Sequence, residues 1–231
     1  IITDVARTSE GYYPRNYTMG YDKAKRLALW AAYPLHSCYT QGISRERHWG
    51  YDPTLAPGEQ MAGGVSAPYN RGHQVANADR RVSNLANDQI SYYSNMTAQR
   101  SNFNSGVWAA LEGRVRGWMC ADTLYVVTGA AFKSTKTIDN ANGPIAVPSH
   151  CWKVLLRQRG NQNRQISQFK ADELKAIGFV FTNDDAGAAT SIESAVRSVK
   201  EIEELTGFKF FRNLDPAVAD AVKSQKNLAD W

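Results

Sequence analysis

Ser94-Asn95-Met96-Thr97-Ala98-Gln99-Arg100-Ser101-Asn102-Phe103-Asn104-Ser105-Gly106-Val107-Trp108-Ala109-Ala110-Leu111-Glu112 is the stretch on which the fold turns. Its first half is polar and unpatterned. Its second half opens a helical period, with Trp108, Leu111, Val115 and Trp118 on one stripe and Glu112, Arg114 and Arg116 opposite. The stripe predicts a helix over 104–119 packed against a core. Upstream, Tyr69-Asn70-Arg71-Gly72-His73 precedes the polar run Gln74 to Asp79, and Gly72 offers a sharp turn between the guanidinium and the imidazole. Gly and Pro cluster over 51–69, which reads as a long surface loop.

Further out, Thr123 to Thr128 reads as a buried strand closed by Gly129, and Cys151 to Leu156 as a second strand of the same sheet. A capping box, Ser198 with Glu201, opens a helix that Gly207 ends, and Asp215-Pro216 opens another. Strands and helices interleave without a βαβ rhythm, so the class is α+β. The chain has 231 residues, 43% of them apolar, which is enough for a full core and predicts one domain over 1–231. No apolar run approaches the ~20 residues needed to cross a bilayer, so no membrane partner is expected. The net charge of +5 inclines the surface toward polyanions. Three cysteines, Cys38, Cys120 and Cys151, lack the spacing of a zinc ribbon, and His36, Cys38, His150 and Cys151 converge poorly as ligands. A bridge between Cys120 and Cys151 is an open alternative.

The blocks Asn70-Arg71-Gly72-His73, Ser94-Asn95 to Ala98-Gln99, and Asn104-Ser105-Gly106-Val107-Trp108 to Leu111-Glu112 together resemble the DNA/RNA non-specific endonuclease family of ββα-metal (His-Me finger) nucleases. Tyr125 to Gly129, Ile145 to Val154 and Ile202 to Phe211 look like later landmarks of that family, in the same order. Two positions depart from its pattern: Asn70 where Asp is usual and Ala98 where Pro is usual. The resemblance implies a central, mainly antiparallel sheet flanked by helices. It also implies Mg²⁺-dependent hydrolysis of DNA and RNA to 5′-phosphate ends, with Mn²⁺ among the possible substitutes.

Carried onto this chain, the resemblance makes His73 the general base, Asn104 the direct metal ligand and Glu112 the holder of the metal's water shell. Arg71 and Arg47 would meet the phosphate, with Arg45 the competing choice for the latter, and Asn95 would steady the histidine loop. These residue types suit the work. An unperturbed imidazole titrates near 6.5, and so offers a neutral fraction to take a proton from water. Mg²⁺ needs few protein oxygens because it keeps several waters. On a straight helix Glu112 would lie about 12 Å beyond Asn104 and about 80° around from it. The resemblance further implies a secreted or periplasmic protein whose leader has been removed, with an inhibitor protein as a possible partner. A nucleic-acid-binding member with weakened catalysis is the alternative, and a carboxylate at position 70 would be expected to raise the basicity of His73.

Overall fold

The structure is a computed structural model that describes residues 15–44, 48–120, 122–162 and 164–231, with the backbone of Ile2–Thr3. Arg45 and Arg47 lie outside the described residues. The strands are β1 (Ile2–Thr3), β2 (Arg15–Asp22), β3 (Leu27–Leu35), β4 (Tyr69–His73), β5 (Met96–Arg100), β6 (Leu124–Ala131), β7 (Thr137–Ile138), β8 (Ile145–Ala146), β9 (His150–Gln158), β10 (Leu174–Thr182) and β11 (Val196–Arg197). The α-helices are α1 (Ser37–Thr40), α2 (Asn84–Ile90), α3 (Ser101–Phe103), α4 (Ala109–Gly117), α5 (Asp185–Ala189), α6 (Val199–Thr206) and α7 (Pro216–Lys223).

Among the described residues the main sheet runs β1-β2-β3-β6-β9-β10-β11, with every neighbouring pair antiparallel. Alternation along β9 sorts its side chains between two layers. Trp152, Val154 and Leu156 join Val199, Ile202 and Val222 of α6 and α7 on one face. Cys151 and Leu155 join Phe103, Trp108, Leu111 and Val115 on the other. A central sheet with both faces covered needs apolar residues at nearly every strand position, and β9 and β10 are buried almost throughout.

The caps read from sequence are in place. Ser198 accepts from the Glu201 amide, Glu201 accepts from the Ser198 amide, and Gly207 closes α6 at φ 75°. Asp215 accepts from the amides of Ala217 and Val218 at the start of α7. Such caps each contribute about 1 kcal/mol. Two glycine readings change. Gly129 lies inside β6, where a Cβ would fall 2.3 Å from the Trp152 ring; the glycine makes room for that indole and does not end the strand. The cysteines are free, Cys151 buried in the core and Cys120 partly exposed, so the bridge considered above is not formed. The Cys120 thiol instead turns to the carbonyl of Asp122.

A separate hairpin, β4 with β5, packs on the face that carries α4. Asn183, at the end of β10, fastens it there. Its amide donates to the carbonyls of Ala98 and Pro148, and its oxygen accepts from the Arg100 amide. The segment that joins β4 to β5 is tied to β2 and β3 of the main sheet by Arg80. That fully buried guanidinium donates to the carbonyls of Asn16, Pro34 and Asp79 and lies over the rings of Tyr33 and Tyr39.

Candidate active site

His73 ends β4, where it pairs with Met96, and Arg71 stands two residues earlier on the same face of the strand. Gly72 between them is no turn residue. It sits in the strand because a Cβ there would lie 2.0 Å from the Gln99 side chain, which needs the space. Asn95 anchors the segment that leaves β4. Its amide is fully buried, accepts from the Val75 backbone N–H at 3.0 Å, and donates to the carbonyls of Val75 and Ile90. Its own carbonyl accepts from the Gln74 amide. The asparagine therefore fixes the backbone just past His73. Ser94 performs the same service for the 51–69 loop by donating to the buried carboxylate of Asp52.

The helix read over 104–119 is interrupted. Asn104–Trp108 forms a π-helical turn between α3 and α4, with Gly106 at φ −98° and ψ −111°. Because Gly106 lies outside helical dihedrals, the segment is a kink, and the regular rotation of about 100° per residue does not carry through it. The offset of about 80° predicted for Glu112 on a straight helix therefore does not apply, and Asn104 and Glu112 line the same cleft. Phe103 and Trp108, both buried against Phe181, lock this turn in place. Burying each ring contributes about 2–3 kcal/mol.

The two elements face one cleft of about 710 Å³. His73, Arg71, Asn104 and Glu112 all line it, each half-buried. The exposed Asn70 also borders it, and Asn95 stays behind the wall as a brace. Sequence reasoning missed three further features. Trp49 lies with its ring centroid 3.9 Å from the Arg71 guanidinium and 5.5 Å from the His73 ring. Arg116 lines the cleft and pairs at 2.9 Å with the buried carboxylate of Asp79, whose other oxygen accepts from Tyr33 Oη. Arg81 completes the basic lining. The four-residue spacing from Glu112 to Arg116, one turn along a helix face, was the available signal for the second.

Three arginines, one imidazole and an amide–carboxylate pair line one cleft, a set of groups whose chemistry fits a phosphate and a hard cation. Asn104 and Glu112 offer oxygen donors on one wall, which suits Mg²⁺ or Mn²⁺ completed by water and phosphate. Among the described residues no group of three His, Cys, Asp or Glu side chains forms a cluster of the kind zinc uses. An arginine held against an indole keeps its fork of donors aimed and charged.

The family model described as DNA/RNA non-specific endonuclease matches residues 3–217. The chain is 26% identical over 216 residues to the mitochondrial nuclease EXOG of Homo sapiens, covering 87% of this chain and 56% of that protein. It is 28% identical over 220 residues to a nuclease of Serratia marcescens, covering 90% of this chain and 77% of that one. It thus spans little more than half the length of the human relative. In three dimensions it resembles a chain of the EndoG/EndoGI complex, with a TM-score of 0.73 and 23% identity over 86% of this chain and 84% of that one. That likeness fixes the fold as the ββα-metal nuclease type with a central antiparallel sheet flanked by helices. With the family model covering nearly the whole chain, this protein belongs to the DNA/RNA non-specific endonuclease family.

Proposed function

We propose that this chain is a single catalytic unit that hydrolyses phosphodiester bonds of DNA and RNA through its cleft, without reading base sequence, leaving 5′-phosphate and 3′-hydroxyl ends. The observation that carries the reading is the convergence of His73 and Arg71 from β4 with Asn104 and Glu112 from the π turn and α4 on one cleft. His73 takes a proton from the attacking water at an imidazole nitrogen. Arg71, steadied by Trp49, donates to the non-bridging oxygens as they gain charge; the family resemblance assigns the same role to Arg47, which lies outside the described residues. Arg116 is held by Asp79 so that its free edge faces the cleft. Asn104 would hold a divalent cation, Mg²⁺ with Mn²⁺ as substitute, and Glu112 would order its water shell. When bound, such an ion supplies positive charge at the phosphate oxygens.

Recognition through phosphate accounts for acting on both nucleic acids, because backbone contacts carry no base information. By analogy with the solved EndoG/EndoGI complex, an inhibitor protein is a candidate partner for the cleft face. A secreted or periplasmic location is proposed on the family resemblance, with a mitochondrial one as the outcome that cell fractionation would set against it.

The test is a plasmid and RNA cleavage assay with and without EDTA, run on the wild type and on His73→Ala. Loss of general-base assistance lowers the rate about 10² to 10⁴-fold while melting temperature and duplex binding persist. A folded His73→Ala protein that cuts at the wild-type rate overturns the mechanism. A wild type that binds duplex but never cuts it favours the binding-only alternative.

A further inference from the structure

Lys153 occupies the middle of β9, between Trp152 and Val154, which face α6 and α7. Alternation turns its side chain to the other layer, between Cys151 and Leu155, and its cross-strand neighbours Thr128 and Phe179 share that face. The residue is 1% exposed, and its Nζ has no hydrogen-bond partner among the described residues. A lysine at such a place is unfavourable for folding, because a buried ammonium gives up hydration and regains nothing through hydrogen bonds. Methionine would fill the same space without that cost.

What surrounds the ammonium is the underside of the nuclease helix. Its Nζ lies 4.9 Å from the centroid of Trp108, the residue that closes the π turn. Glu112 stands four residues further along the same helix, one turn above Trp108. Burial pushes the Lys153 pKa down, and Glu112 is the foremost charge pulling it back up, followed by Asp79, against a smaller opposing push from Arg116. The Trp108 ring is the group the ammonium rests against, while Glu112, one turn along the helix, and Asp79 act on it through space at longer range than a hydrogen bond.

We propose that Lys153 is a positioning residue of the nuclease site: its ammonium, sealed beneath Trp108, holds the Glu112 carboxylate in place from the core side of the helix. Glu112 would then keep the orientation in which it could order the water shell of a bound cation. The inference rests on the proposed nuclease mechanism and adds to it a core residue that no substrate touches. Lys153 acts only through Glu112, and to a lesser degree through the Asp79 and Arg116 pair.

Lys153→Met and Lys153→Gln, each alone and combined with Glu112→Gln, test this. Three readouts are needed: melting temperature, Mg²⁺ affinity of the substrate-free protein by calorimetry, and kcat with KM on duplex DNA. The expected result is a melting temperature unchanged or raised in Lys153→Met, since an apolar isostere removes a buried charge. Mg²⁺ affinity and kcat fall about 10- to 100-fold with KM little altered, the usual cost of losing a group that orients a metal's surroundings. The double variant is no worse than Glu112→Gln alone, because the lysine has lost the group it acts through. Wild-type kcat and Mg²⁺ affinity in Lys153→Met overturn the proposal, as do losses that multiply in the double variant. Failure of both single variants to fold would also overturn it, by making the lysine a requirement of the core. A wild type that cuts neither DNA nor RNA refutes the nuclease reading separately, and the calorimetric comparison still decides the role of Lys153.

Discussion

The guanidinium of Arg71 rests on the indole of Trp49 at 3.9 Å, and the same indole stands beside the His73 ring. One aromatic side chain therefore packs against both the proposed phosphate-binding group and the proposed proton acceptor. A partly desolvated cation–π contact contributes about 0.5–2 kcal/mol. Trp49→Ala should lower kcat/KM roughly 2- to 30-fold by the ordinary conversion of free energy to rate. Arg71→Lys should not preserve the wild-type value, because an ammonium cannot offer the planar fork. Steady-state kinetics on duplex DNA at fixed salt checks both.

Asn104→Ala and Glu112→Gln should separate in their dependence on Mg²⁺. The first removes the proposed ligand and shifts the half-saturating Mg²⁺ concentration the further; the second loosens only ordered water, with an effect of about 10- to 100-fold. Metal titrations of activity, with calorimetry on the substrate-free protein, measure the difference. Equal and unshifted titration curves would contradict the assignment.

Cys151 and Cys38 should behave as opposite kinds of thiol. Burial pushes Cys151 up to about 12, so it stays protonated and shielded in the folded protein, while Cys38 is exposed. A chromogenic thiol reagent at pH 8 should modify Cys38 first and Cys151 only on unfolding, and mass spectrometry without reductant should find three alkylatable thiols. Because the folded value lies above the unfolded one, near 8.5, this thiol's contribution to stability is complete below about pH 8.5 and is lost as pH rises toward 12. Burial also raises Tyr17 and Tyr33, so alkaline melting should steepen over the same range.

Asn70→Asp should leave the acidic limb of the kcat/KM profile nearly still. Position 70 is exposed and three residues from His73, about 10 Å along the strand and on its other face. A unit charge at that distance in water is worth about 0.4 kcal/mol, or about 0.3 pH unit. A rise of a full unit would show that the carboxylate reaches the imidazole, as the sequence alone suggests. The pH profile of both forms at saturating Mg²⁺ distinguishes the outcomes.

The parts legible in sequence were those written in local chemistry. The capping box at Ser198, the Asp215-Pro216 start and the Gly207 stop are short-range backbone arrangements, and each formed where it was read. His73, Asn104 and Glu112 stood out only through the resemblance of their motifs, and the fold brings them from three elements to one cleft. Glycine misled, since Gly72 and Gly129 serve distant side chains, Gln99 and Trp152, and a close approach across a sheet leaves no mark on neighbouring residues. Trp49 and Lys153 were invisible for the same reason: each matters for what the fold lays against it, Arg71 in one case and Trp108 in the other.

The π turn at Asn104–Trp108 makes this site depend on counting as much as on chemistry. Removing Ser105 or Val107 would leave Asn104, Glu112 and the neighbouring motifs spelled almost as before, yet would change the winding by which the kink at Gly106 brings α4 back to the cleft. Conservative substitution is thus a smaller hazard here than a three-base deletion. Within this family a chain with a complete set of site residues and a shortened spacer between them should be expected to fold, to bind nucleic acid, and to cut poorly.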